Sequence, residues 1–192
     1  MTGYAKGRAT KGEILDRALE AFAAAGFRGM SLRELASRCG ITHAGLLYHF
    51  PTKDALLMAA LTHRDEADAG LLRTSGTGVE QLAGLVDVVR HNESRRGVVE
   101  LYAVLSAEAT SPAHPAHAYF VARYERTVAH AVDAFAAAAR EGALAPGVDP
   151  AVAGRQLIAL MDGLQIQWLL TGAPMVGAVR AHVQAQLTRP LP

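Results

Sequence analysis

A single residue, Ile41, separates Gly40 from Thr42, and that spacing constrains the chain more than any other feature of it. Glycine ends a helix because it enters the left-handed conformation without a Cβ clash, and threonine starts one because its hydroxyl accepts from an amide of the first turn. A stop and a start this close force two helices to leave one tight turn in different directions. Upstream, Ser31 with Glu34 three residues on has the form of a capping box and opens the first helix, with Leu32, Leu35 and Ala36 facing inward. Downstream, Thr42 opens the second, which carries Leu46, Leu47 and Phe50 to Pro51. Two short helices joined by such a glycine turn make a helix-turn-helix signature.

The flanking segments predict helices as well. Ile14, Leu15, Ala18, Leu19 and Phe22 recur at helical spacing, so a first helix is expected from about Thr10 to Ala25, closed by Gly26. The small, basic stretch before it, MTGYAKGRATKG, is expected to be a mobile arm. A fourth helix should run from near Thr52 to about Leu72, before a flexible joint at TSGTG, residues 74–78. Further helices are expected at 79–92, 96–109, 116–141, 149–171 and 174–187, punctuated by SPAHPAH, GALAPGVDP and TGAP. The chain is 51% hydrophobic and only 6% aromatic, rich in Ala and Leu, which favours helices over sheets. An all-α protein of about nine helices follows. Residues 1–52 are expected to form a three-helix module, joined through a linking helix to a larger helical domain at 53–192.

The totals exclude several classes. One cysteine, Cys39, rules out an internal disulfide, and no Cys/His pair has zinc-ligand spacing, so a reducing cytoplasm is expected. Asp16, Arg17 and Glu20 break the only early apolar stretch, which argues against a signal peptide, and Gly163–Val179 is interrupted by Gln165, Gln167, Gly172 and Pro174. Net charge is only +1, but residues 1–64 hold nine Lys and Arg against five Asp and Glu, an excess of four, leaving −3 for the rest. A basic front and an acidic back point to an anionic partner for the front alone.

That front contains ITHAGLLYHFPTK, residues 41–53, without one carboxylate. A helix entering the major groove needs such a face, since each carboxylate would oppose the phosphates. Its first residues reach deepest, so Thr42, His43 and Gly45 are candidates for base edges, with Ala44 small enough to meet a thymine methyl. Tyr48 and His49 can hydrogen-bond phosphate, and Lys53 at the start of the next helix adds charge to free amides. Ser31 and Arg33 can grip the other side of the groove, and Arg8 and Lys11 can follow the backbone or enter the minor groove.

The run ILDRALEAFAAAGFRGMSLRELASRCGITHAGLLYHFPTKDALL, residues 14–57, resembles the DNA-binding domain of the TetR (tetracycline-repressor-like) transcriptional regulators. The likeness lies in the ordered set AFAAAGF, SLRELA, CGIT and YHFPTK. Many members carry an aromatic residue where this chain has Leu47, and Ser-Lys-Gly where it has Thr42, His43 and Ala44. The resemblance implies a ligand-responsive repressor that binds a palindromic operator as a homodimer, its last two helices pairing with a partner's in a four-helix bundle.

The rear segment suits that expectation. Residues 149–171 are apolar nearly all round, so one side, with Leu157 and Ile166, is expected to meet a partner subunit. Val176, Val179, Val183 and Leu187 form a matching stripe. Met58, Leu61, Tyr102, Leu105, Phe120, Tyr124, Met161, Gln165 and Trp168 are expected to line an apolar effector site, the polar atoms of Tyr, Trp and Gln needing partners once buried. No metal or cofactor is expected. Two alternatives stand beside this reading. One is a constitutive DNA-binding regulator without effector. The other is a metal-dependent helical enzyme built on His114 and His117, with Glu108 and His91 nearby, which no Ser/His/Asp set, paired carboxylates or phosphate loop supports.

Overall fold

In the computed structural model the described residues are 3–27, 29–70 and 75–192, with side chains from residue 11 onward. They form nine α-helices: α1 Gly3–Ala25, α2 Leu32–Arg38, α3 His43–His49, α4 Lys53–Ala69, α5 Gly78–Glu93, α6 Arg96–Glu108, α7 His117–Arg140, α8 Pro150–Thr171 and α9 Val176–Ala185. The all-helical expectation holds, with the rear helices displaced by no more than two residues at either end. Residues 71–74, at the expected end of the fourth helix, lie outside the described residues. No helix among the described residues is long and apolar enough to cross a membrane.

Two boundaries differ from the sequence reading. The helix expected from Thr10 begins at Gly3, so the stretch read as an arm is helical from there. Its interglycine residues are mostly Ala, Lys and Arg, good helix formers that offset the roughly 1 kcal/mol each glycine costs. At the other end α9 stops at Ala185, because Leu187 leaves the helix to pair with Leu144 in an isolated antiparallel bridge. The Ala145 amide donates to the Gln186 carbonyl at 2.8 Å, and the Thr188 amide to the Ala143 carbonyl at 2.9 Å.

The chain divides into two compact units. The first comprises Met1–Asp68 with Glu100–His117, and the second Ala69–Val99 with Ala118–Pro192. The division therefore does not fall at residue 52. Phe22, Leu35, Leu46, Leu56, Leu57, Leu61 and Leu105 are all essentially fully buried in the first unit, so α4 is part of the same core as the helix-turn-helix. Burying one such leucine contributes about 1.5–3 kcal/mol relative to leaving it in water. Arg64, also on α4, is only 4% exposed. Its guanidinium lies 4.1 Å from the centre of the Tyr102 ring, its Nε 2.9 Å from the Asp68 carboxylate, and the Tyr102 hydroxyl donates to the Leu61 carbonyl at 3.1 Å. A charge this deep is tolerable only because it is paired and stacked.

The second unit has its own core of Leu82, Val86, Phe135, Leu157, Met175, Val179 and Val183 with their neighbours. Two glycines allow close helix approach within it. A Cβ on Gly154 would meet the Val132 backbone nitrogen at 2.6 Å, and one on Gly78 the Ala138 nitrogen at 2.1 Å. Carboxylates remote in sequence satisfy helix starts: Glu141 accepts from the Gly78 amide at 2.9 Å, and Glu93 from the amides of Met175 and Val176. Arg96 does the converse, donating to the carbonyls of Trp168 and Leu169 near the end of α8.

This packing corrects the expected dimer surface. Leu157, Val179, Val183 and Leu187 lie inside the unit's own core, with exposures of 0, 0, 0 and 8%, and are not available to a partner. Val176 is half-buried against the same core, whereas Ile166 is 47% exposed. An apolar stripe has the same spacing whether its own chain or another covers it.

His130 on α7 gives this core a pH dependence. Its Nε2 is buried with no hydrogen-bond partner among the described residues, and burial pushes the imidazole pKa down against the pull of Asp133. A depressed histidine contributes stability above the ordinary imidazole value of about 6.5, and loses it as pH falls through the folded-state value. Thermal melts across this range should show wild type losing more stability on acidification than His130→Leu. Parallel losses would show that His130 is not the source.

Candidate nucleic-acid interface

The turn between α2 and α3 is built entirely from local chemistry. The Ser31 hydroxyl accepts from the Glu34 amide at 3.2 Å, and the Glu34 carboxylate takes the Ser31 amide and hydroxyl at 2.8 Å each. These bonds hold the exposed Glu34 carboxyl below its usual range, helped by Arg38 and Lys53. At the far end Gly40 adopts φ +71°, and the Ile41 amide reaches back to the Ala36 carbonyl at 3.0 Å. That pairing is the Schellman closure, which needs a left-handed residue at Gly40. Arg17 of α1 fixes the turn from outside, donating to the Cys39 carbonyl at 3.1 Å. Cys39 is buried, its thiol 3.6 Å from the Ile14 carbonyl and pushed above the ordinary thiol range by burial, so it is a packing residue.

Thr42 then caps α3, its hydroxyl accepting from the Gly45 amide at 3.0 Å. A Cβ at position 45 would sit 3.1 Å from that hydroxyl oxygen, a reason for glycine the sequence reading had not found. Leu46 and Phe50 turn inward, at 0 and 3% exposure. The opposite face holds Thr42, Ala44, Tyr48 and His49, all exposed, with His43 and Gly45 half-buried at its edge. Tyr48 is 86% exposed, and its ring meets the His49 ring edge-on at 5.2 Å. Leu47 is exposed as well, at 36%, although sequence reasoning assigned it no contact.

Two lysines of the unit pack against aromatic rings. Lys53 places its ammonium 4.7 Å from the centre of the Phe27 ring, and Lys11 of α1 lies 5.7 Å from that of Phe50, where α3 ends. Arg33 is exposed on α2. The side chain of Arg8 lies outside the described residues. Ser31 is exposed at the start of α2, its amide and hydroxyl both donating to Glu34 as the capping box requires. The exposed face of α3 carries no carboxylate, which suits it to phosphates and base edges.

The residues expected to form an effector site do not fall in one unit. Leu61, Tyr102 and Leu105 belong to the core of the first, with Met58 half-buried beside them. Tyr102 finds its hydrogen-bond partner in the Leu61 carbonyl, so its buried polar atom does not by itself call for a ligand. In the second unit Phe120, Met161 and Trp168 are buried and Gln165 half-buried. The Arg96 guanidinium lies 5.3 Å from the Trp168 ring. Tyr124 is 38% exposed and hydrogen-bonds Asp162, whose carboxyl burial pushes above the usual range while Tyr124 and Arg123 oppose it. Asp162 was missed because a lone charge in an apolar helix pattern reads as solvated surface, and Arg64 because it stands in the charged run HRDEAD, residues 63–68. His114 and His117 are engaged in their own turn: His114 Nδ1 accepts from the Ala116 amide at 3.2 Å, and His117 Nδ1 lies 2.8 Å from the Ala109 carbonyl.

Comparison with known proteins agrees with this geometry. Residues 14–60 match the model of bacterial regulatory proteins of the tetR family, and residues 79–192 match that of the BetI-type transcriptional repressor C-terminal region. The chain belongs to the TetR family. It is 43% identical over 53 residues to the HTH-type transcriptional regulator RutR of Escherichia coli K12, a stretch that is 28% of this chain and 25% of RutR. A TetR transcription regulator from Haloarcula marismortui superimposes with a TM-score of 0.81 at 17% identity, covering 94% of this chain and all of that one. AibR, solved with isovaleryl coenzyme A and operator DNA, gives 0.65 at 23% identity, covering 92% of this chain and 97% of its own. At such identities the likenesses establish the fold alone, an all-helical one with the helix-turn-helix at the amino-terminal end. TetR proteins are regulators of transcription, which sets this chain apart from the enzyme alternative.

Replacing Gly40 tests the turn on which the interface rests. A Cβ there would meet Arg17 Nη1 at 3.1 Å in a backbone conformation costing L-residues about 1–2 kcal/mol. Gly40→Ala should lower the denaturation midpoint accordingly; an unchanged midpoint would mean that α2 and α3 meet through a different turn.

Proposed function

We propose that this protein is a ligand-responsive transcriptional repressor that binds a palindromic operator as a homodimer and is released by a small, mostly apolar molecule. The observation that carries the reading is the exposed, carboxylate-free face of α3, in a unit whose α1 and α4 carry Lys11 and Lys53. Thr42, His43, Ala44, Gly45 and Tyr48 are the proposed base and sugar-phosphate contacts, with Arg33, His49, Lys53, Lys11 and Arg8 on phosphate. AibR, of the same fold, was solved with operator DNA and an acyl coenzyme A, which supports a regulator answering to an effector.

For the dimer, the face of α8 left open by the chain's own core is the proposed surface. Ala159, Gly163, Ile166 and Leu170 are exposed along it at spacings of four, three and four, Leu170 at 80%. Small residues among large apolar ones let helices approach closely, and the two-fold axis of such a pair matches the symmetry of a palindrome. For the effector, α4 is the proposed lever. It starts at Lys53, directly after α3, and shares the core of the DNA-binding helices through Leu56, Leu57 and Leu61. A ligand lodged against Met58 would tilt it and change the separation of the two recognition helices in a dimer. A misfit of a few ångströms would cost contacts worth about 1–3 kcal/mol each.

Binding to the DNA upstream of its own gene, measured at several salt concentrations, tests the central part. Affinity should fall steeply with salt while discrimination against scrambled duplex persists, and Lys53→Ala should weaken all sequences alike and reduce the salt slope by about one. A protein that ignores every duplex offered would overturn the assignment.

A further inference from the structure

We infer that α3 selects its site chiefly through the methyl groups of thymine, with Leu47 and Ala44 as the contacting side chains. This rests on the DNA-binding reading above and adds to it a mode of recognition.

From Thr42 to Phe50 there is no Arg, Lys, Asn, Gln, Asp or Glu, the side chains that read base edges through paired or charge-assisted hydrogen bonds. The remaining polar groups are few. The Thr42 hydroxyl oxygen already accepts from the Gly45 amide, and His43 is half-buried at the margin. His49 lies at the last position of the helix, against the Tyr48 ring. What the helix holds outward is Ala44, Leu47 and Tyr48, neighbours at spacings of three and four.

Leu46 and Leu47 are adjacent, yet one is wholly covered and the other 36% exposed. A single exposed leucine is ordinary on a protein surface. Here it lies beside Ala44 on the one helix of the unit placed to enter a groove, in the part of the chain that carries the positive excess. Phosphate attraction would bring a duplex to this face, and within the major groove the thymine C5-methyl is the one apolar group a base pair presents. An aliphatic reading face is therefore complementary to a thymine-bearing site, and it gains nothing from a guanine edge.

The test uses the full-length protein and duplexes enriched from a randomised library. The tightest sequence is resynthesised with uracil in place of thymine, which removes only the methyl groups. Wild type should bind the uracil duplex more weakly, on the order of four-fold for each methyl contacted. For Leu47→Ala the difference between the two duplexes should shrink, and because Leu47 is exposed the variant should melt as wild type does. Equal wild-type affinity for both duplexes, with scrambled sequence still rejected, would overturn methyl reading and leave DNA binding intact. Full thymine discrimination by Leu47→Ala would overturn the part given to that residue. Failure of the library to enrich any sequence would remove the DNA-binding reading and this inference with it.

Discussion

The turn at residues 39–42 is the constraint on which the rest depends. In four residues the chain ends one helix with a left-handed glycine, reaches back to the Ala36 carbonyl, and starts the next with a threonine cap. No long-range contact is needed to specify that geometry, although Arg17 reinforces it from α1. Once the angle between α2 and α3 is set, Leu46 and Phe50 have only one interior to enter. The outward face of α3 then follows by elimination, since a seven-residue helix that buries one side must present the other.

A second consequence concerns α4. Its leucines are as deeply covered as those of the helix-turn-helix, and Arg64 adds a stacked and paired charge at the contact with Tyr102. Under the proposed mechanism, that shared core is the path by which displacement of α4 would reach α2 and α3. The burial of Leu61, Tyr102 and Leu105 also sets a condition: a ligand acting through them must displace packed side chains, whereas Met58 is already partly accessible.

Much of this was legible in the sequence, wherever the information was local. Ser31 with Glu34, Thr42 and Gly40 each act through neighbours within a few residues, and the helices they bound lie where the pattern placed them. What failed depended on which surface lies against which. The valines of α9 repeat at the same spacing whether a core or a partner covers them, and only the packed structure shows that their own unit does. Tyr102 suggested a ligand because a buried polar atom needs a partner, but the Leu61 carbonyl that accepts from it comes from a distant position that periodicity cannot locate.

The central claim is that α3 meets DNA with the side that carries Leu47 and Tyr48 while Leu46 stays in the core. Methyl-resolved NMR of the leucine-labelled protein, titrated with a duplex it selects, examines two adjacent residues, one buried and one exposed. The Leu47 methyl signals should shift strongly on binding, with those of Leu46 nearly still. Leu46 moving as much as Leu47, or neither moving in a saturated complex, would contradict the account.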